Sequence, residues 1–346
     1  MSGEKVFQAE ELSRFATKAL QKVGVSVDHA RLIAEVLVEA DLRGVSTHGM
    51  ALLPLYIRRL QRRLINPEPN IQVVRDSASH ALVDGDNGEG HLVSVKAMAL
   101  CIDKVKRSQV GIVGVRNSNH FGAAGYYSMM AAKEELIGFS ATNTAACMAP
   151  FGGTTPTFGN NPFSLAIPTG QGFPIVLDMA TSNVAFGKIF RARQMGQKIP
   201  LDWALDKQGR PTDDADVAYN ALLLQGVGGH KGYCLSVVID ILSGVLTGAL
   251  FARDIPPQGT GSGHFFVAID PEMFMPLDEF KKRVEQMIAQ VKDSSLAEGV
   301  DRVYLPGEIE HVSMEQRLKE GIPLFPYIHE QLDKLGKDLG ISFERL

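Results

Sequence analysis

The sequence predicts an α/β (α+β) fold in which a mixed-sheet domain is joined to a helical subdomain formed by both chain ends. Three observations predict it: helix-period segments open the chain, short apolar strands alternate with helices in its middle, and amphipathic helices close it. Apolar residues at helical spacing indicate a helix, and short apolar runs bounded by turn residues indicate strands. The predicted units are 1–70 with 271–346, and 71–270.

Three helices are predicted at the start of the chain. AEELSRFATKALQKVG ends at Gly24, and HARLIAEVLVEADLRG follows a capping Asp28 and ends at Gly44. A capping Asp accepts hydrogen bonds from the free N–H groups of the first turn, and glycine readily takes the left-handed conformation that ends a helix. The third helix, MALLPLYIRRLQRRL, contains Pro54, which predicts a kink or a late start.

Short strands and helices alternate from residue 70 onward. The predicted strands are IQVVRD, HALVDGD, QVGIVGVRNS, LIGFSATNT, SLAIPT, FPIVLDMAT and HFFVAID. The predicted helices between them are HLVSVKAMALCIDKVKRS, AAGYYSMMAAKEE and NVAFGKIFRARQMG. Residues 196–231 are rich in turn signals. Closing helices are predicted for PLDEFKKRVEQMIAQVKDSS and near 313–321 and 325–338.

The most apolar stretch is Gly232–Ala252, which is long enough to cross a membrane. Asp240 lies in its middle, and Gly244 and Gly248 dilute it. Because a charge in lipid is costly, the stretch predicts a buried or interface helix of a soluble protein.

Charge and cysteine content exclude several classes of protein. With 35 basic and 39 acidic residues the net charge is 35 − 39 = −4, which disfavours nucleic acid as the main partner. The three cysteines are too few for a disulfide framework or a zinc cluster and fit a reducing compartment. The N-terminal MSGEKVFQAEELSRF has no apolar core, so no signal peptide is predicted and a cytoplasmic location is expected.

The segment Gly85-Asp-Asn-Gly-Glu-Gly90 follows a predicted strand and precedes a helix, as a dinucleotide fingerprint does. Val93 stands where the third glycine belongs, and Ser108 stands where the ribose-binding acid belongs. The segment therefore predicts a tight turn, and any dinucleotide is expected to bind in a manner other than that of the Rossmann fold.

Two histidines in loops near glycines are the candidate acid/base groups. His48 lies in Ser46-Thr-His-Gly49 at the start of the third helix, and His120 lies in Asn117-Ser-Asn-His-Phe-Gly122 at the end of an apolar strand. Open α/β sheets bind ligands at such strand ends, and histidine exchanges protons near neutral pH. The alternative is that each histidine caps a helix or packs against a turn.

Two further segments are candidates for contacts with a cofactor. Asp178 ends a strand and is expected to cap the following helix, and its turn is placed to contact a cofactor as well. Gly229-His-Lys-Gly232 opens the long apolar helix, where free N–H groups and the charge of Lys231 suit a diphosphate. The alternative for Lys231 is a solvated lysine in a loop.

Nine segments, in order along the chain, resemble the malate/L-lactate dehydrogenase family of the ureidoglycolate dehydrogenase, sulfolactate dehydrogenase and diketogulonate reductase type. This family is distinct from the Rossmann-fold lactate and malate dehydrogenases. The resemblance runs from about residue 8 to about residue 338. The segments are DLRGVSTHG (41–49), DGDNGEGH (84–91), VRNSNHFGAAGYY (115–127), APFGG (149–153), FGNNPFSLAIPT (158–169), VLDMATS (176–182), GGHKGYCLSVVIDILSGVLTGA (228–249), GHFFVAID (263–270) and LPGE (305–308).

The resemblance implies an NAD(P)-dependent oxidoreductase of 2-hydroxy or 2-oxo acids that binds its cofactor without a Rossmann fold and works as a homodimer with shared active sites. It implies that His48 or His120 is the acid/base, and we favour His48, with His120 orienting the substrate. Substrate contacts are expected at Thr47, Tyr56 and Arg43. Cofactor contacts, with NAD favoured over NADP, are expected at Thr144, Asp178, Met179, Ala180, Thr181, His230, Lys231, Pro306, Gly307 and Glu308. No metal is expected.

One departure from the family pattern concerns the substrate carboxylate. Members commonly have an arginine at the position of Leu52, where it anchors that carboxylate. Arg43, Arg116 or an arginine of a partner subunit are the candidates to replace it. Two other functions stay open: an NADPH-dependent reductase of cyclic imino acids, and a binding or structural protein that has lost the chemistry.

Overall fold

A seven-stranded mixed sheet lies at the centre of the computed structural model, which describes residues 5–343. Its strands are β2 (Gln72–Asp76), β3 (His80–Asp84), β4 (Val110–Ser118), β5 (Ile137–Thr142), β6 (Phe163–Ile167), β7 (Ile175–Met179) and β8 (Ser262–Ile269). Their order across the sheet is β2-β3-β4-β8-β5-β6-β7. Only β3 and β4 pair in parallel, and every other neighbouring pair is antiparallel. The sheet is therefore not the parallel, doubly wound sheet of a Rossmann fold, as predicted.

Eleven α-helices accompany this sheet in the described part of the chain. They are α1 (Ala9–Lys22), α2 (Val27–Leu42), α3 (Leu53–Gln61), α4 (Gly90–Ser108), α5 (Ala124–Lys133), α6 (Phe186–Gln194), α7 (Ala215–Ala221), α8 (His230–Asp240), α9 (Leu277–Lys292), α10 (Glu308–Glu320) and α11 (Pro326–Leu339). The mixed α/β architecture is confirmed. Helix α7 and a short sheet of β1 (Lys5–Phe7) and β9 (Ile322–Leu324) were not predicted.

The two ends of the chain share one core. Side chains of α1, α2, α3 and α11 are buried together, and the pair of β1 with β9 ties the ends to each other. A second core lies between the sheet and helices α4 and α5. Helix α9 buries Val284 and Ile288 against Ile175 of β7, so it packs on the edge of the sheet. The division into units stays a prediction, and residues 1–4 and 344–346 of the predicted helical unit lie outside the described residues.

Capping, glycine and proline residues set the boundaries of the first helices as predicted, except at the start of α2. Ser26, not Asp28, caps α2, because its side chain accepts the N–H of His29. Asp28 lies one residue inside the helix, where a negative charge favours the positive end of the helix dipole. Gly44 ends the segment with φ +80°, and α3 starts late, with Pro54 in its first turn, as predicted.

The apolar stretch forms a shorter helix than predicted. Regular helix α8 ends at Asp240, and a π-helical turn (Ile241–Val245) continues it. A Cβ atom on Gly244 would lie 2.6 Å from the Asn143 side chain, so only glycine allows this close approach. Asp240 is buried in protein, where it accepts hydrogen bonds from Asn143 and the N–H of Ala252. Within residues 5–343 no helix combines the length and apolar character that crossing a membrane requires.

Candidate active site

A cleft of about 790 Å³ lies between the end of α2 on one side and β7 with the start of α5 on the other. Its volume lies in the range of small-molecule sites. The predicted site residues that line it are Arg43, Thr47, His48, His120, Thr144, Asp178, Met179, Ala180, Pro306 and Gly307. Residues from distant parts of the chain therefore meet in one place.

The two candidate histidines form a stacked pair in this cleft. The ring centres of His48 and His120 are 5.6 Å apart, with an angle of 15° between the ring planes. His48 follows α2, and its N–H donates to the carbonyl of Val45 in a tight turn. His120 lies two residues after Ser118, the last residue of β4. The end of a helix and the end of a strand thus bring the two rings together.

Burial keeps both imidazoles neutral. It lowers the pKa of His48 to about 4, and the nearby His91 adds to the effect. Burial also lowers the pKa of His120 well below its usual range, with His48, His91, Arg59 and His264 contributing. A neutral imidazole can accept a proton from a hydroxyl group, so the pair is in the state that oxidation of an alcohol requires.

Hydrogen bonds fix the tautomer of His120. Its Nδ1 accepts the N–H of Gly122 at 3.3 Å and lies 2.7 Å from the Tyr56 hydroxyl. Because a main-chain N–H only donates, Nδ1 is an acceptor, and the proton of the neutral ring is on Nε2. The Nδ1 of His48 lies 3.0 Å from the Thr47 hydroxyl, which can donate or accept, so His48 can keep Nε2 free as an acceptor.

A buried layer supports His120 from behind. Tyr56 is fully buried, does not line the cleft, and contacts the ring of His91 edge-on at 5.1 Å. The Nδ1 of His91 lies 3.1 Å from a carboxylate oxygen of Glu89, which is also buried. No sequence pattern predicted a role for Glu89 or His91, although they stand at the Gly85–Gly90 turn. The turn itself is confirmed, because Gly88 N–H donates to the Gly85 carbonyl at 2.8 Å.

Asp41 holds the loop that carries His48. Its carboxylate accepts the N–H of Met50 at 2.7 Å, and Gly49 packs so closely against it that a Cβ there would overlap the carboxylate. Burial raises the pKa of Asp41 to about 7. This role of Asp41 was not predicted, because a single acid at the end of a helix carries no distinctive sequence signal.

Replacing Asp41 by asparagine is expected to change how stability depends on pH. The carboxyl pKa is about 4 in the unfolded chain, so the folded state binds the proton more tightly. The contribution of Asp41 to the free energy of unfolding should therefore fall as pH rises from about 4 to about 7. Asp41→Asn stays neutral and avoids this fall. The Tm of the variant minus that of the parent should be larger at about pH 8 than at about pH 5; an equal difference at both pH values would contradict the expectation.

Asp178 caps a helix other than the predicted one. It lies within β7, and its carboxylate accepts the N–H of Gly125 at 2.8 Å, in the first turn of α5. The expectation that it caps the following helix is wrong, because α5 packs against β6 and β7 and turns its N-terminus toward this carboxylate. Burial raises the pKa of Asp178 to about 6, whereas the Gly125 N–H and the charge of Arg43 oppose the rise.

The other predicted cofactor residues lie around the cleft without lining it. Thr181 is buried and donates its N–H and hydroxyl to the carbonyl of Asn160. Glu308 forms ion pairs with Lys292 and Arg302, which hold the loop before α10. His230 and Lys231 are exposed in the first turn of α8. The turn before them contributes Val227 to the cleft wall.

The structure shows which cationic side chains line the cleft and could replace the arginine that is missing at Leu52. Leu52 packs against the helical core and does not line the cleft. Arg116 pairs with Asp84 at 3.0 Å, away from the cleft, whereas Arg43 lines it. Lys188, Arg191 and Arg317, which sequence analysis did not consider for this role, also line it.

The chain is similar to known proteins over nearly its whole length. The family model described as malate/L-lactate dehydrogenase matches residues 7–333. The chain belongs to this family. Malate dehydrogenase of Pyrococcus abyssi is 41% identical over 343 residues, which cover 96% of this chain and 94% of that protein. The L-sulfolactate dehydrogenase of Methanocaldococcus jannaschii is 39% identical, with 98% of both chains covered.

A further relative and two solved structures extend the likeness. Ureidoglycolate dehydrogenase (NAD(+)) of Escherichia coli O157:H7 is 34% identical and covers 93% of both chains. The crystal structure of malate dehydrogenase from Entamoeba histolytica superposes with a TM-score of 0.95 at 33% identity, covering 99% of this chain and 100% of that one. The δ1-piperideine-2-carboxylate reductase of Pseudomonas syringae pvar. tomato gives 0.87 at 28% identity, covering 96% and 99%.

These findings define the chemical class of the chain. It is an oxidoreductase of a family whose named relatives are dehydrogenases of 2-hydroxy acids. Among residues 5–343 no group of three or more His, Cys, Asp or Glu side chains is placed to hold a metal ion.

Proposed function

We propose that the chain transfers a hydride between a nicotinamide cofactor and a 2-hydroxy or 2-oxo acid of the malate, lactate, ureidoglycolate or sulfolactate kind. The stacked pair of neutral His48 and His120 in the cleft carries this proposal. A bound nicotinamide supplies or accepts the hydride. The histidines move the accompanying proton, because the C2 hydroxyl must lose it as the carbonyl forms.

The tautomers support different roles for the two rings. With its proton on Nε2, neutral His120 can donate a hydrogen bond to the substrate oxygen, and its bonded Nδ1 cannot serve as a base. His48 can present Nε2 as an acceptor and so take the hydroxyl proton. We therefore assign the acid/base role to His48 and substrate orientation to His120, with Tyr56 fixing the His120 ring. Thr47 and Arg43 complete the substrate side.

The cofactor, NAD or NADP, is proposed to lie along the β7 wall of the cleft. Thr144, Pro306 and Gly307 line this region together with Asp178, Met179 and Ala180. Thr181 and Glu308 hold the adjacent main chain in place. The start of α8 with His230 and Lys231 fits a diphosphate, since the positive end of the helix dipole and the charge of Lys231 meet there.

Removing the charge of Lys231 tests the placement of the cofactor. Lys231→Ala is expected to raise the KM for the cofactor about 10- to 100-fold, the effect of losing one charge-assisted hydrogen bond. The KM for the acid substrate should change much less. Lys207→Ala, in an exposed turn, is the control. A larger rise in the substrate KM than in the cofactor KM would count against this role.

A homodimer is proposed as the working assembly. The face of α8 and its π-helical continuation exposes apolar side chains at helical spacing, at Leu235, Val238, Ile241 and Val245. An exposed apolar stripe of this kind is typical of an interface with another protein surface. A second copy of the chain that packs on this stripe would form the predicted homodimer.

A cytoplasmic location is also proposed, because the three free cysteines fit a reducing compartment.

A second candidate function is NADPH-dependent reduction of a cyclic imino acid, which the likeness to the piperideine carboxylate reductase favours. A panel of 2-oxo acids and cyclic imino acids, each assayed with NADH and with NADPH, separates the two. We expect cofactor oxidation with 2-oxo acids. Turnover of imino acids alone would select the second candidate, and no turnover with either class would overturn the proposal.

A further inference from the structure

Two of the four cationic side chains that line the cleft already have partners in the protein. Arg317 donates a hydrogen bond to the main-chain carbonyl of Asp41. Burial lowers the pKa of the Arg43 guanidinium, and the nearby carboxylates of Glu39, Glu310 and Asp178 oppose this effect. The charge of Arg43 is therefore partly balanced by carboxylates of the protein, and one N–H group of Arg317 is already engaged.

Lys188 and Arg191, the other two, have no carboxylate partner among residues 5–343. They are three positions apart on α6, so they lie on the same side of the helix. The Arg191 guanidinium carbon lies 5.2 Å from the centre of the Phe325 ring. Stacking on a ring occupies one face of the guanidinium and leaves its N–H edge free to donate to an oxyanion.

The start of α6 lies beside the loop that carries Thr47 and His48. A Cβ on Gly187 would contact the Thr47 side chain at 3.4 Å, and Lys188 is the next residue in the chain. Lys188 is therefore close to the residue that precedes His48, on the substrate side of the cleft. This position is distinct from the first turn of α8, where we propose that the cofactor diphosphate binds.

We propose that Lys188 and Arg191 bind the anionic groups of the substrate in place of the arginine that the family commonly has at Leu52. Two uncompensated positive charges match a dianion, so the pair selects 2-oxo and 2-hydroxy acids with a second carboxylate or a sulfonate. A monocarboxylic acid leaves one of the cations without a counter-charge. This inference rests on the proposed function and names its substrate class.

The test compares dianionic and monoanionic substrates in charge-removal variants. For the parent chain, Lys188→Gln and Arg191→Gln, kcat/KM is measured with a four-carbon dicarboxylic 2-oxo acid, a 2-oxo acid with a sulfonate, and pyruvate. The parent should prefer the dianions, and each variant should lower the ratio of dianion to pyruvate about 10- to 100-fold. Arg193→Gln is the matched control, because Arg193 lies on the same helix but pairs with Asp216 outside the cleft.

Several outcomes would overturn the inference. One is that the parent chain prefers pyruvate to the dianionic substrates. Another is that both variants lose kcat/KM equally for all substrates. A third is that the variants raise the KM for the cofactor and leave the KM for the substrate unchanged. If no 2-oxo acid is turned over, the proposed function fails separately. Calorimetric binding of malate and lactate to the parent and to Lys188→Gln then decides the inference, and equal affinities of the parent for the two acids would contradict it.

Discussion

Replacing His48 by asparagine is expected to lower kcat about 10²- to 10⁴-fold, the usual contribution of general acid/base catalysis. The variant keeps a polar side chain of similar reach but has no group that exchanges a proton. His120→Asn should have a smaller effect, roughly 10- to 100-fold, because it removes one orienting hydrogen bond. Steady-state kinetics in both directions measures the two effects. His80→Asn, an exposed histidine bonded to Ser77, is the control.

The dependence of kcat/KM on pH is an independent test of the acid/base role of His48. Oxidation needs neutral His48, and its pKa is lowered to about 4 by burial. The kcat/KM for the hydroxy acid should therefore stay level from neutral pH downward and fall only as pH approaches about 4, a descent that His48→Asn should abolish. Near-parental turnover in both histidine variants would refute the proposed chemistry. A larger loss in His120→Asn than in His48→Asn would exchange the two roles.

Substituting Gly90 by alanine should destabilise the fold by about 3 kcal/mol or more. A Cβ at this position would overlap the carbonyl oxygens of Asn119 and His120. Both atoms belong to the main chain at the end of β4, so they cannot move aside as a flexible side chain does. The added methyl group must shift either the start of α4 or the segment that carries His120, and turnover should fall together with stability.

Denaturant unfolding and kcat measured on the same preparation test this effect. Gly170→Ala is the matched control, because its Cβ would meet only the end of the Glu285 side chain, at 3.1 Å. The control should lose much less stability and keep its turnover. If Gly90→Ala unfolds at the same denaturant concentration as Gly170→Ala, the close packing described around His120 is wrong.

Local patterns predicted most of the secondary structure. The helical periodicity of α1, the proline in α3 and the glycine after α2 each act over a few residues, and the structure confirms all three. The correction at Asp28 also concerns a local choice, between two neighbouring residues that can both cap a helix. Helix α7 was missed because it is only seven residues long and lies within a segment rich in turn residues.

The candidate site was predicted only in part, because some of its features depend on contacts between residues that are distant in the chain. His48 and His120 were found because glycines mark the loops in which they lie, and the family resemblance supplied most of the other contacts. The capping of α5 by Asp178 could not be predicted, since 53 residues separate Asp178 from Gly125. The unpaired state of Lys188 and Arg191 is likewise visible only once the positions of all the carboxylates around the cleft are known.

Residue order alone fixed the class of fold, the positions of its helices and strands and the two imidazoles, because these depend on side-chain type and on neighbours a few positions away. Three-dimensional packing fixed the insertion of β8 between β4 and β5, the tautomer of His120 and the partners of each charge in the cleft. Each of these depends on contacts between distant segments, and such contacts exist only after the chain has folded.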